Sequence, residues 1–159
     1  MRFSGSLFDL GLRRSETVAL DRADLDLDAA TLAVLGKGRT GKVPLTLPEP
    51  TRDALRAWLE ARGDDRGPLF VDLARDRRGG RLSSTSVYRM VRALGTAVGL
   101  TVRPHGLRHT AITAALDLMG DLRAVQRFSR HRDVRTLTRY DDNRADLGGD
   151  VARRVAATA

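Results

Sequence analysis

Polar and apolar residues alternate at every step of Asp24-Leu25-Asp26-Leu27-Asp28, the period of a strand with one buried face. Thr31-Leu32-Ala33-Val34-Leu35 follows as a second run of strand formers, and Val43-Pro44-Leu45-Thr46-Leu47 as a third. Between these two lies Gly36-Lys37-Gly38-Arg39-Thr40-Gly41, a turn with three glycines. The pattern predicts a small antiparallel meander with a basic hairpin tip. Pro44 suits an edge strand, because it has no N–H to give to a ladder.

Around the meander the apolar period becomes helical. Ser15 and Glu16 open a short helix through Leu20. Leu55, Trp58 and Leu59 predict a helix over 52–62, with Trp58 in the core. Pro68-Leu69-Phe70-Val71 reads as a short extended piece. Residues 72–81 form a polar loop whose Arg75, Arg77, Arg78 and Arg81 either follow a nucleic-acid backbone or face solvent. Ser83-Ser84-Thr85 starts a helix to about Val98, with Val87, Met90, Val91 and Leu94 on one face. Further helices are expected over 104–119, over 122–128 and from 134 towards 144. Gly148-Gly149 breaks the pattern, and Asp150 reads as the N-cap of a last short helix carrying Val151 and Val155. The expected class is α+β, mainly α, a helical bundle with a three-stranded antiparallel sheet.

The 159 residues suffice for one compact domain, and a hydrophobic fraction of 42% argues against disorder. Aromatics are only 4%, so Leu, Val and Ala must build the core. The net charge of +8 rests largely on arginine, whose planar fork matches phosphate oxygens. That favours a nucleic-acid partner, although a GC-rich coding sequence raises arginine as well. The lack of cysteine excludes disulfides and thiolate chemistry. No apolar run approaches the roughly 20 residues needed to cross a bilayer. The expectation is a soluble cytoplasmic protein with no membrane partner.

Candidate chemistry gathers near the C-terminal end. His105 and Arg108 lie three apart at the start of a helix, hence on one face. A helix start also offers free amides to an anion. Taken alone, the pair also fits a surface histidine and an ion-paired arginine. Arg13 precedes Glu16 by three residues, which either orients the guanidinium or is an ordinary helix ion pair. Lys37 sits between two glycines at the hairpin tip, placed to bring an ammonium to a leaving oxygen or to stay solvated. Tyr140 is one of two tyrosines, a weak nucleophile unless activated. His131 either bonds a phosphate or caps a turn. Zinc is disfavoured at His105, His109 and His131, since no HExxH glutamate lies between the first two.

Together these segments resemble the catalytic domain of tyrosine recombinases, the phage-integrase and Xer-type family, from Leu7 to about Ala157. Gly11-Leu12-Arg13-Arg14-Ser15-Glu16 is similar to the family's first-arginine box. Gly36-Lys37-Gly38 with Val43-Pro44-Leu45 is similar to its hairpin lysine box. His105-Gly106-Leu107-Arg108-His109 is similar to the HxLRH box, and His131 and Tyr140 to the last histidine and the nucleophile.

The resemblance implies that Tyr140 attacks the scissile phosphate to give a 3′-phosphotyrosyl link and a free 5′-hydroxyl. Arg13 and Arg108 would clamp the non-bridging oxygens. Lys37 would act as general acid, His105 and His131 would assist, and Glu16 would be a support. Arg14, Arg39, Lys42, Arg103 and Arg132 are expected to contact DNA. Neither ATP nor a metal is implied. The partners implied are double-stranded DNA and further copies of the chain, a monomer in solution assembling to a tetramer on DNA. Residues 148–159 would be exchanged between protomers.

Two departures stand out. The family's separate N-terminal DNA-clamping domain has no counterpart in 1–159, so a single truncated catalytic domain is expected. DNA affinity of this chain alone should then be modest and salt-dependent. Secondly, Arg130 stands where many members have glycine before the last histidine. Three alternatives remain at this stage: an impaired DNA-binding remnant, a type IB topoisomerase-like strand transferase, and a metal-dependent nuclease.

Overall fold

The computed structural model describes residues 9–72, 79–141 and 156, with the side chains of Arg139 and Asp141 excepted. A first helix, α1 (Arg14–Val18), leads through a 3-10 turn (Arg22–Asp24) into β1 (Leu25–Asp26), β2 (Thr31–Leu35) and β3 (Lys42–Thr46). Then come α2 (Glu49–Arg62), α3 (Ser84–Ala97), α4 (Pro104–Met119), α5 (Leu122–Ser129) and α6 (Arg135–Asp141). The expected α+β class holds, and the three strands form one antiparallel sheet in the order β1-β2-β3. Pro44 lies on the edge strand, opposite Ala33.

The alternation at 24–28 makes a strand of only two residues. Aspartate side chains bend the chain on either side of it, because a short carboxylate bonds nearby amides more readily than it joins a ladder. Asp24 Oδ2 accepts the N–H of Asp21 at 2.9 Å, closing the 3-10 turn. Asp26 Oδ1 accepts from the N–H groups of Asp28 and Ala29 at 3.0 and 2.8 Å, turning the chain towards β2. Helix α2 begins three residues before the expected 52, with Pro48 as N-cap and Pro50 in the first turn. First-turn amides have no intrahelical partner, so proline loses nothing there.

In α3, Ser83 Oγ caps the Ser86 amide at 3.0 Å. Val87 and Val91 are buried as expected, but Leu94 faces solvent and Gly95 takes the inward place. A Cβ on Gly95 would lie 2.7 Å from the Leu100 carbonyl oxygen and 2.9 Å from the Val102 side chain. The bare backbone there lets 100–102 pass tightly on its way to α4.

Two apolar cores result. The larger joins sheet, α2 and α3 around Leu12, Leu32, Leu55, Trp58 and Val87. Trp58 is core as expected, and its indole N–H donates to the Leu69 carbonyl at 2.8 Å. The smaller joins α4, α5 and α6 through Ile112, Leu116, Val125 and Leu137, with Tyr140 packed at its margin. No helix among the described residues is long and apolar enough to cross a membrane. Arg75, Arg77, Arg78, the Gly148-Gly149 break, Asp150, Val151 and Val155 lie outside the described residues. Arg81 does not face outward to a backbone or to bulk solvent alone. Its guanidinium donates to the Val18 and Leu20 carbonyls at 2.8 and 3.0 Å and pairs with Asp21, pinning the end of α1.

Candidate active site

A cleft of about 450 Å³ opens where the two cores meet. Its walls bring together Arg13, Arg14, Arg103, His105, Arg108, His131 and Tyr140 from segments more than a hundred residues apart. Each is set by its element. Arg13 is the N-cap of α1, where Glu16 Oε2 accepts its backbone N–H at 2.9 Å and Oε1 accepts its guanidinium at 2.6 Å. His105 and Arg108 occupy the first turns of α4, begun by Pro104. His131 follows α5, and its Nδ1 lies 2.9 Å from Ser129 Oγ. Tyr140 on α6 packs between two imidazoles, with ring centroids 4.6 Å from His109 and 5.9 Å from His131.

Arg108 is 4% exposed. Its two terminal nitrogens donate to the carbonyls of Gly11 and Ser129, so one guanidinium crosslinks the first-arginine segment to the end of α5. Gly11 has φ +52°, and a Cβ there would stand 3.1 Å from the Phe128 ring. Glycine is thus required for this carbonyl to reach Arg108. Burial, then the charge of Arg13, pushes the Arg108 pKa down to about 10, which still leaves it a cation at neutral pH.

Arg130 ends α5 at φ +55°, a left-handed position that costs a non-glycine residue about 1–2 kcal/mol. Its buried guanidinium pairs with Glu16 Oε2 at 2.9 Å. Burial, the largest influence on Glu16, pushes its pKa up. The charge of Arg130 and hydrogen bonds from Arg13 and Arg130 together outweigh that, so the carboxyl lies below its ordinary range. Three guanidiniums therefore surround one carboxylate. The surplus positive charge, in a half-buried wall beside the free amides of the α4 start, is a site for an anion. Burial and the neighbouring Arg108, Arg13 and Arg130 lower His131 to about 4, so its imidazole is neutral at pH 7.

Other expected residues lie elsewhere. Lys37 is exposed at the hairpin tip and is not in the cleft wall. Arg39 and Arg132 are exposed and outside it. Lys42 Nζ is held by both carboxylate oxygens of Asp24, at 2.6 and 2.7 Å, which directs it to the 3-10 turn before β1. Conversely, Ser84 and Tyr88 line the cleft without having been expected there. They lie four apart on α3, on the flank of the Val87 and Val91 stripe, and that spacing was the available signal. His109, expected as the last residue of the HxLRH box and in a disfavoured zinc reading, lies closer to the Tyr140 ring than His131 does.

The profile of the phage integrase family matches residues 5–146. A tyrosine recombinase of Synechococcus elongatus is 40% identical over 156 residues, covering 94% of this chain and 49% of that protein. The crystal structure of XerA recombinase superposes with a TM-score of 0.76 at 29% identity, over 97% of this chain and 55% of that one. The Tn1549 transposon integrase, solved in complex with a circular intermediate DNA, has the same fold, with a TM-score of 0.77 at 18% identity over 98% of this chain and 57% of that one. The chain thus spans about half the length of the relatives it matches. Profile and relatives together show the family: the chain belongs to the phage integrase family, the tyrosine recombinases.

Proposed function

We propose that this chain carries the strand-cleaving centre of a site-specific DNA recombinase. The observation that carries the reading is the shared cleft of Arg13, Arg108 and Tyr140, a phenol beside two guanidiniums. The scissile phosphate would sit between the arginines, which neutralise its non-bridging oxygens and the charge that grows on them in the transition state. Tyr140 Oη attacks phosphorus as its phenolic proton passes to the imidazole of His105 or His131, the bond to the 5′ oxygen breaks, and Lys37 supplies the proton that the leaving oxygen takes up. His105, and His131 in its neutral form, bond the phosphate or relay a proton. The product is a 3′-phosphotyrosyl link. A 5′-hydroxyl from a partner strand reverses the step and frees the tyrosine.

One phosphoester is exchanged for another, so the bond energy is conserved. Double-stranded DNA is the proposed partner, with Arg14 and Arg103 at the cleft rim and Arg39, Lys42 and Arg132 beyond it as its backbone contacts. The DNA complex of the transposon integrase supports this. Exchange between two duplexes calls for four copies of the chain, each contributing one tyrosine, with residues 148–159 as the linking segment.

A nicked suicide substrate, from which the cleaved 5′ fragment diffuses away, tests the reading. The expected result is a covalent protein–DNA adduct that Tyr140→Phe abolishes. DNA binding with no adduct would make the chain a binding remnant. Relaxation of supercoiled plasmid without sequence preference would make it a topoisomerase-like enzyme.

A further inference from the structure

Arg130 takes no place in the cleft wall, yet its two terminal nitrogens make four hydrogen bonds, while its buried Nε has no partner among the described residues. Its side chain is 5% exposed. One terminal nitrogen donates to the Leu10 and Phe128 carbonyls at 3.0 and 2.8 Å. The other donates to the Gly11 carbonyl and to Glu16 Oε2 at 2.8 and 2.9 Å. Three of these four acceptors belong to the segment 10–16, which carries Arg13. The Gly11 carbonyl is shared with Arg108, and the other oxygen of Glu16 holds the Arg13 guanidinium. The acceptor of Arg108 on Gly11 and the acceptor of the Arg13 guanidinium on Glu16 are therefore both groups that Arg130 also holds.

The backbone sharpens the point. At φ +55° a glycine would sit without strain, whereas arginine does not. The side chain therefore supplies something that the backbone conformation alone does not require. A guanidinium fork reaches four acceptors at fixed angles, which a lysine ammonium on a flexible stem cannot reproduce.

We propose that Arg130 is a positioning residue: from behind the cleft its guanidinium fixes the segment 10–16 so that Arg13 faces the phosphate that Arg108 also holds. The inference deepens the strand-cleaving reading and rests on it. Catalysis by preorganised charge is sensitive to displacements of about 1 Å, so a loosened Arg13 should cost rate even when DNA still binds.

The test compares the wild type with Arg130→Gly and Arg130→Lys. Glycine removes the fork and suits the backbone, so a cooperative melt is expected. At saturating suicide substrate the single-turnover cleavage rate should fall about 10- to 100-fold, with the DNA dissociation constant unchanged. Arg130→Lys should recover part of the rate. Arg13→Ala/Arg130→Gly should be no slower than Arg13→Ala alone, since both act through one group. Nitrogen-15 relaxation of the Arg13 Nε–H should show an ordered side chain in the wild type and a disordered one in Arg130→Gly.

Cleavage at the wild-type rate, multiplying losses in the double variant, or an Arg13 side chain equally ordered in all proteins would overturn the proposal. If Arg130→Gly does not melt cooperatively, Arg130→Lys carries the same comparison. A wild type that forms no adduct would sink the recombinase reading instead, and the Arg13 relaxation would still decide whether Arg130 positions it.

Discussion

The guanidinium wall and the hairpin tip would each supply a cation to the proposed phosphate, and they are built in opposite ways. Arg108 is buried, with two of its donors satisfied by carbonyls from distant segments. Lys37 is exposed between two glycines, and no hydrogen bond or ion pair of its ammonium is found among the described residues. The difference follows from the work each would do. A group that stabilises developing charge is most effective when it is fixed before the reaction, because no reorganisation is then needed. A general acid must approach the leaving oxygen, give up a proton and withdraw. Fixed charge calls for crosslinks through the core, and a proton donor calls for a tip free of them.

This contrast is open to direct attack, and Arg108 offers the largest effect. Arg108→Ala leaves the Gly11 and Ser129 carbonyls unpaired and separates the first-arginine segment from α5. Denaturant unfolding should show a loss of about 3 kcal/mol. Single-turnover cleavage should fall at least about 100-fold. Arg108→Lys keeps the charge without the fork and should fall between the two. An Arg108→Ala protein as stable as the wild type would mean that the wall is not built through this residue.

Lys37→Ala should separate the two quantities. An exposed turn residue without partners contributes within about 0.5 kcal/mol, so the unfolding midpoint should not move. Cleavage should nevertheless drop about 100-fold or more if the ammonium is the acid. A substrate with sulfur in place of the leaving 5′ oxygen needs no acid, because a thiolate departs unprotonated, and it should restore the rate of Lys37→Ala. Failure of that substrate to do so would move the acid elsewhere, and with it the reason for a free hairpin tip.

The same contrast governs what was legible in the sequence. The hairpin tip is a local matter, and Gly36-Lys37-Gly38 announces it. The helical start at Pro104 and the Glu16 partner of Arg13 are also local, three or four residues apart. What escaped is long-range or turns on side-chain competition. Arg130 marked itself only as an unusual residue before His131, since three of its four acceptors lie more than a hundred positions earlier in the chain. The aspartates at 24–28 mimic strand alternation while bonding their own turns. Leu94 fits the helical period, but the close passage of Leu100 gives the inward place to Gly95. Ser84 and Tyr88 flank the buried stripe of their helix, and only the fold shows what that flank meets.

His131 carries the smallest effect and probes the wall from its edge. Burial and the three guanidiniums hold its imidazole at about 4, below the ordinary value of about 6.5 for a free histidine. The folded chain thus binds fewer protons here than the unfolded chain between these values. The stability that depends on a neutral His131 is complete above pH 6.5 and is lost as pH falls towards 4. Unfolding midpoints of the wild type should decline across that window, and those of His131→Gln should decline less, the difference isolating this group from Glu16, which acts at lower pH. The imidazole resonances of the free protein should titrate near pH 4. Filling the cleft with a phosphate offsets part of the arginine charge, so the same resonances should then titrate at higher pH. A midpoint near 6.5 in the free protein would show that the arginine charge does not reach His131, and that the wall is less densely positive than its geometry indicates.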